Sequence, residues 1–268
     1  MRKLSAAVVV CLVALFSTVP TLAAPVTLQH NNSLLVIDPE NPIQGMFNWT
    51  VDNVDHLYQQ WWWYRIGNGP EQSISTLQLA SSDVLGDRLL IQKYCASDFD
   101  LEVTWTLTGG AANSGFSMVK EGATITNKST GNLYISLYEY SDFDILGTAE
   151  NDFGTHVNAN KVKQFEFPVL VEESVTQTPS RWQMDGPGNI LALLNDSDKD
   201  NLTNQYAFYG PGNVAWAFQW DFVIGPGSSA GVSKDKSISS VIPEWNSLLL
   251  AAIGMVGTIG IRRRRRLG

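Results

Sequence analysis

Five consecutive residues, Trp61-Trp62-Trp63-Tyr64-Arg65, hold the densest concentration of recognition chemistry in the chain. Along a strand, successive side chains alternate between faces, so Trp61, Trp63 and Arg65 share one face while Trp62 and Tyr64 share the other. Indole and phenol rings are broad and apolar and keep one polar handle, which suits them to stack against sugar rings. The same rings serve equally as core, one face inside and the other beneath a neighbouring loop. A second candidate is Asp196-Ser197-Asp198-Lys199-Asp200-Asn201, with Asp196, Asp198 and Asp200 at every second position of a turn-forming segment. That spacing lets a short loop wrap carboxylate oxygens around a hard cation such as Ca²⁺. The match to a calcium loop is partial, because Asn201 stands where the EF-hand pattern wants Gly and Ala207 where it wants a bidentate Glu. A solvated acidic turn is the alternative.

The inventory for catalysis is thin. His30, His56 and His156 are not spaced with one another or with carboxylates as a zinc site requires. Hydrolytic serine motifs and phosphate-binding glycine loops are absent. Glycoside hydrolysis needs only two carboxyl groups about 5 to 9.5 Å apart, a separation that chain spacing does not fix. Asp98 and Asp100 read as solvent-facing positions at a strand start, and Asp142 and Asp144 as a polar loop.

The elements that must position these residues are strands. Phe99, Leu101, Val103, Trp105 and Leu107 alternate with polar residues, as do Val214, Trp216, Phe218, Trp220, Phe222 and Ile224 with their neighbours, the period-two signature of a half-buried strand. Gly225-Pro226-Gly227 then breaks the chain before a strand over 232–240. Further strands are predicted over 33–38, 45–51, 57–66, 74–80, 88–94, 123–127, 133–140, 162–170, 181–184, 190–194 and 206–209. No long helical pattern interrupts them. Many short strands separated by Gly, Asn, Asp and Pro clusters predict an all-β, antiparallel β-sandwich, one domain over residues 24–240.

Both ends stand apart from that body. Met1-Arg2-Lys3, an apolar run over 4–16 and Thr21-Leu22-Ala23 predict a signal peptide over residues 1–23, cut after Ala23 by signal peptidase. Cys11 leaves with it, so Cys95 is left without an internal disulfide partner. Residues 241–268 read Pro243-Glu244-Trp245, an apolar stretch over 246–261, and Arg262, Arg263, Arg264, Arg265 and Arg266 in one run. A helix from Trp245 to Ile261 would extend roughly 26 Å, enough to cross a hydrocarbon core of about 30 Å once the arginines reach to the interface. The arginines favour the cytoplasmic side, which leaves the body outside. Between residues 24 and 243 there are 11 basic and 25 acidic residues, a net charge of −14, and a body that acidic repels phosphate backbones; nucleic acid is excluded as a partner.

The tail resembles the PEP-CTERM sorting signal, a Pro-Glu-Pro-like motif followed by a transmembrane helix and an arginine-rich end. Here Pro243, Glu244 and Trp245 stand at the motif, with Trp245 in place of the usual second Pro. The resemblance covers about the last 26 residues. It implies recognition and cutting by a membrane-embedded cysteine transpeptidase, the exosortase, in bacteria that export polysaccharide. The expectation is an exported, non-catalytic protein of the cell envelope or extracellular matrix with an adhesive or structural role, in contact with the export machinery, the membrane through its tail, and extracellular polysaccharide. The alternatives are a glycan-binding module using Trp61, Trp62, Trp63 and Tyr64, or a carbohydrate-active enzyme on the same sandwich.

Overall fold

A computed structural model describes residues 24–240; the predicted signal peptide, the motif Pro243-Glu244-Trp245 and the five arginines at 262–266 lie outside the described residues. No helix among the described residues is long and apolar enough to cross a membrane.

In chain order the strands are β1 (Val26–His30), β2 (Ser33–Ile37), β3 (Met46–Val51), β4 (Val54–Asp55), β5 (Gln59–Ile66), β6 (Gln72–Ser73), β7 (Gln78–Leu85), β8 (Leu89–Cys95) and β9 (Phe99–Gly109). There follow β10 (Ser117–Asn127), β11 (Leu133–Asp142), β12 (Asp152–Asn158), β13 (Lys161–Glu166), β14 (Val169–Val175) and β15 (Arg181–Asp185). One helix, α1 (Pro187–Asn195), precedes β16 (Phe208–Gly212), β17 (Ala215–Ile224) and β18 (Ser229–Ser240). The first sheet runs β1-β2-β3-β5-β11-β17-β15, with β4 on β3 and β6 on β5, and the second runs β16-β12-β13-β14-β18-β10-β9-β8-β7. Neighbours in both pair antiparallel, as the alternation predicts.

Contacts between the sheets define the interior. Tyr64 packs edge-on against Phe99 at 5.5 Å, Trp61 lies parallel to Trp105 at 6.1 Å, and Trp49 Nε1 donates to Ser117 Oγ at 2.9 Å. In the second sheet β9 and β10 bury every second residue, leaving the other face to water. The first sheet behaves otherwise. In β5 and β11 nearly every residue is buried, because α1 and the segment after it add a layer on one side.

That helix corrects the strand predicted over 190–194. Gly186 and Pro187 open it, proline's fixed φ and missing N–H suiting a first helical turn. Ile190 and Leu194, four residues apart, then bury a common face. A second correction splits the strand predicted over 162–170 into β13 and β14, since proline cannot donate to a ladder and Phe167-Pro168 therefore forms the turn.

Five charged side chains meet in the dry space between the sheets. Glu121 from β10, Glu139 from β11, Glu173 from β14 and Lys234 and Lys236 from β18 all have fully buried side chains. Lys234 Nζ reaches Glu139 at 2.6 Å, Glu121 at 3.3 Å and Glu173 at 3.4 Å. Lys236 Nζ reaches Glu139 at 3.0 Å and Glu173 at 3.3 Å, and also contacts Gln60 and Ser141. Burial alone would push the Glu139 carboxyl up, but the two lysines bring it below the usual carboxylate range. Glu173 goes the other way, raised by burial and by the Glu139 charge. Two lysines thus face three carboxyl groups, of which Glu139 is drawn toward its charged form and Glu173 away from it.

Candidate functional site

The structure puts Trp61, Trp62 and Trp63 fully out of reach of solvent and Tyr64 nearly so. The expected glycan platform is therefore corrected, and both ring faces belong to the packed interior. Trp62 lies beneath Lys234, 5.0 Å from ring to ammonium, and Trp61 Nε1 donates to Ser73 and Ser75. Trp63 Nε1 donates to Asn195 Oδ1 at the end of α1, 3.0 Å away. The physical reason is the second layer: a face that a two-layer sandwich would expose is here roofed by α1 and residues 196–205.

Residues 196–201, where the calcium loop was expected, are part of that roof. Asp198 N–H donates to Asp196 Oδ1 at 2.9 Å, forming a local turn. Beyond it the backbone of Asp200 is consumed by the sheet: its carbonyl accepts from Arg65 and from Tyr138 Oη, and its N–H donates to Glu71. Arg65 also pairs with Glu71 at 2.6 Å, both buried. Asp196 and Asp198 lie close enough to Asp200 to raise its carboxyl, after burial, and among the described residues no three His, Cys, Asp or Glu side chains gather as a metal site. Arg65, whose type drew attention only as part of the aromatic run, is the side chain that fastens this cover.

A cleft of about 520 Å³ opens elsewhere, between the β3–β4–β5 region and the loop after β11, lined among others by Ile43, Phe47, Asp55, Tyr58, Asp144 and Gly147. Its lip is apolar and wet: Ile43 is 79% and Tyr58 62% exposed. Its floor is acidic. Asp55 is held rigidly as an acceptor, from Asn48 Nδ2 at 2.7 Å and from the N–H groups of Trp49 and Leu57 at 3.0 and 3.2 Å. Burial, and then the Asp55 charge, raise the Asp144 carboxyl. Behind it Asp142, 1% exposed, is pushed up to about 7 by burial and then by Asp144, while Tyr140 Oη donates to it at 3.1 Å. Asp152, also buried, is raised to about 7 chiefly by burial and accepts from Gln164 Nε2. His56 is lowered to about 4 by burial, so it stays neutral at pH 7; its Nδ1 accepts from Leu146 N–H at 3.2 Å and fixes the loop.

The arrangement therefore sets a firm hydrogen-bond acceptor, Asp55, near carboxyl groups that keep protons close to neutral pH, under an aromatic and aliphatic lip. A carboxyl group raised by burial, set in a cleft beside a fixed acceptor, is a common setting for polar-ligand recognition and proton transfer. Chain spacing missed most of this. Asp142 and Asp144 read as a polar loop, whereas Asp142 ends β11 and is buried where strand and loop close over it. One signal was present: the chain turns from alternation to an Asp-rich break at Ser141-Asp142-Phe143-Asp144.

No protein-family model matches the chain, and no curated protein sequence matches it. Solved structures do resemble its fold. A bacterial glucoamylase complexed with acarbose matches over 89% of this chain at 10% identity and a TM-score of 0.56; the chain spans 36% of that protein's length. A putative aldose 1-epimerase from Escherichia coli K12 matches over 81% of this chain and 99% of its own, at 7% identity and a TM-score of 0.54. A GalM/aldose epimerase homologue from C. elegans matches over 82% and 99%, at 7% identity and 0.53. By fold the chain is thus a two-sheet antiparallel β-sandwich like those of carbohydrate-active and aldose-epimerase-like proteins. At such identities the likeness extends to the fold alone.

Proposed function

We propose that the chain is an exported carbohydrate-binding protein of the cell envelope or extracellular matrix, which takes a saccharide in the cleft between Tyr58, Phe47 and the Asp55–Asp144 floor. The observation that carries the reading is the pairing of an exposed aromatic lip with two carboxyl groups placed to hydrogen-bond hydroxyls. Rings cover the apolar face of a sugar, and fixed carboxyl groups choose its hydroxyl pattern. The kinship of fold with carbohydrate-active proteins supports it. Delivery rests on the terminal segments, which resemble a signal peptide and a PEP-CTERM tail; an exosortase would then cut near Pro243-Glu244-Trp245 and leave the body attached to, or within, a polysaccharide matrix. The adhesive or structural role expected of such a protein follows from holding that matrix.

Calorimetric titration with a panel of oligosaccharides and exported polysaccharide tests the reading. Binding should be measurable at millimolar ligand and fall at least tenfold in Tyr58→Ala and Asp144→Asn. Heat-free titrations across the whole panel would end it.

A second reading, a carbohydrate-active enzyme, draws on two carboxyl groups in the cleft floor, Asp55 and an Asp144 raised by burial and by the Asp55 charge, since sugar chemistry uses paired carboxyl groups. Release of reducing ends from a bound oligosaccharide, lost in Asp144→Asn, would favour it over binding alone.

A further inference from the structure

The last described residue, Ser240, leaves the second sheet between two exposed phenylalanines. On one side Ser240 pairs with Val169, and Phe167, two residues before it in the β13–β14 turn, is 72% exposed. On the other side Ser240 N–H donates to Gly115 O at 3.1 Å, and the adjoining Phe116, in the β9–β10 turn, is 39% exposed. Next to Phe167, Glu166 accepts from Thr148 Oγ1 at 2.9 Å, which brings the loop of Leu146, 38% exposed, to the same end. Phe116, Phe167 and Leu146 belong to turns, where no packing inside the sandwich requires large apolar side chains.

The chain that follows explains why they are there. Between Ser240 and Trp245, where the apolar stretch begins, lie Val241, Ile242, Pro243 and Glu244. Fully extended at about 3.3 to 3.6 Å per residue, that connection reaches at most about 17 Å. A tail that spans the bilayer on so short a tether holds this end of the sandwich at the headgroup layer, with no room for it to tumble. Aromatic and aliphatic side chains gain free energy by entering that layer, where one end of a ring is wet and the other dry.

We infer that the end of the sandwich bearing Phe116, Phe167 and Leu146 is a membrane-seating face, which rests in the lipid interface while the tail spans the bilayer. The inference rests on the spanning reading of residues 246–261 made above. It adds an interaction surface on the folded body, with phospholipid as the partner. Seating presents the connection 241–245 at a fixed height and orientation, which is what an intramembrane peptidase working near Pro243-Glu244 would meet.

The full chain, with Cys11→Ser and Cys95→Ser, is reconstituted into vesicles of phosphatidylcholine and phosphatidylglycerol, and an environment-sensitive fluorophore is attached at one introduced cysteine at a time. Phe116→Cys and Phe167→Cys test the face. Val223→Cys is the control, because it is 63% exposed and precedes the turn into Ser229, the other end of the twelve-residue strand β18. Ser247→Cys reports the tail. Probes at 116 and 167 should shift to the blue and be quenched at least twofold by lipids brominated on the acyl chain, with 223 unaffected. Quenching at 247 without quenching at 116 and 167 overturns the seating face and leaves the spanning tail intact. No quenching at 247 overturns the tail reading on which the inference rests, and equal quenching at 223 shows the whole body adsorbed without orientation, which also refutes it.

Discussion

Replacing Lys236 by Met removes one of two cations from the charge cluster between the sheets while keeping a side chain of similar length. Lys236 Nζ lies 3.0 Å from Glu139 and 3.3 Å from Glu173, with no solvent in reach of any of the three side chains. A unit charge pair at that distance is worth about 5 kcal/mol at an effective dielectric of about 20, and much of this offsets the cost of taking the charges out of water. What the variant exposes is that cost without its compensation: three carboxyl groups facing Lys234 alone. Breaking a buried pair from one side costs about 3 to 5 kcal/mol, a large part of the roughly 5 to 15 kcal/mol that stabilises a domain. Urea unfolding at pH 7, followed by tryptophan emission, should show the midpoint fall by more than about 1 M for a slope near 3 kcal/mol/M. The double variant Glu139→Gln/Lys236→Met should recover at least half of the loss, because the charge left behind is removed. Glu173→Gln should cost less than Glu139→Gln, since burial and the Glu139 charge raise the Glu173 carboxyl whereas the two lysines lower that of Glu139. A Lys236→Met midpoint within experimental error of the parent, or Glu173→Gln costing as much as Glu139→Gln, would refute the reasoning. Should the single variant fail to fold, the double variant still carries the test.

Asp142 and Asp152 have folded pKa values of about 7 against an ordinary value of 3.8, so between those limits the folded chain binds more protons than the unfolded one. Their contribution to stability is therefore complete below about pH 3.8 and lost as pH rises through about 7; urea midpoints from pH 4 to 8 should fall less steeply in Asp142→Asn than in the parent, and an unchanged slope would contradict the burial of that carboxyl. Arg65→Met leaves Glu71 buried and unpaired and releases the Asp200 carbonyl, so trypsin should cut after the exposed Lys199 at least tenfold faster than in the parent; equal rates would mean that Arg65 does not fasten the cover. Gly45 has φ +58°, and a Cβ there would lie 2.4 Å from the Trp61 ring, so Gly45→Ala should lower the melting temperature by several degrees, about 1 to 3 kcal/mol; no change would show that Trp61 is not held against the turn. Iodide should leave most indole emission unquenched, because Trp49, Trp61, Trp62, Trp63, Trp105, Trp216 and Trp220 are buried; ready quenching would return the aromatic run to the surface.

Strands were legible in the sequence where one physical effect dominated. β9 alternates because it buries one face against the opposite sheet, and that period survives in the sequence; β17 alternates in sequence too, yet its first six residues are all buried. The Trp61–Tyr64 run was ambiguous for the same reason: apolar residues on both faces announce burial on both sides or exposure on one, and only the roof of α1 and residues 196–205 decides between them. Helix α1 hid behind its length, since Ile190, Leu191, Leu193 and Leu194 form too short an apolar run to separate strand from helix. The cleft was the least legible feature. Asp55, Asp142, Asp144 and Asp152 come from three stretches of chain, and the raised proton affinities of Asp142, Asp144 and Asp152 arise from burial and nearby carboxylates, which exist only once the loop after β11 has closed.

The two lysines of the charge cluster sit on β18, and β18 lies in the middle of its sheet, between β14 and β10. A chain made from its amino terminus therefore has Glu121, Glu139 and Glu173 waiting without counter-charges, and two open strand edges facing each other, until residue 240 has emerged. Closure comes last, once β18 has been made. The order of synthesis thus keeps the body unfinished until the tail arrives, and any truncation short of β18 should leave not a smaller sandwich but a sticky, half-zipped one.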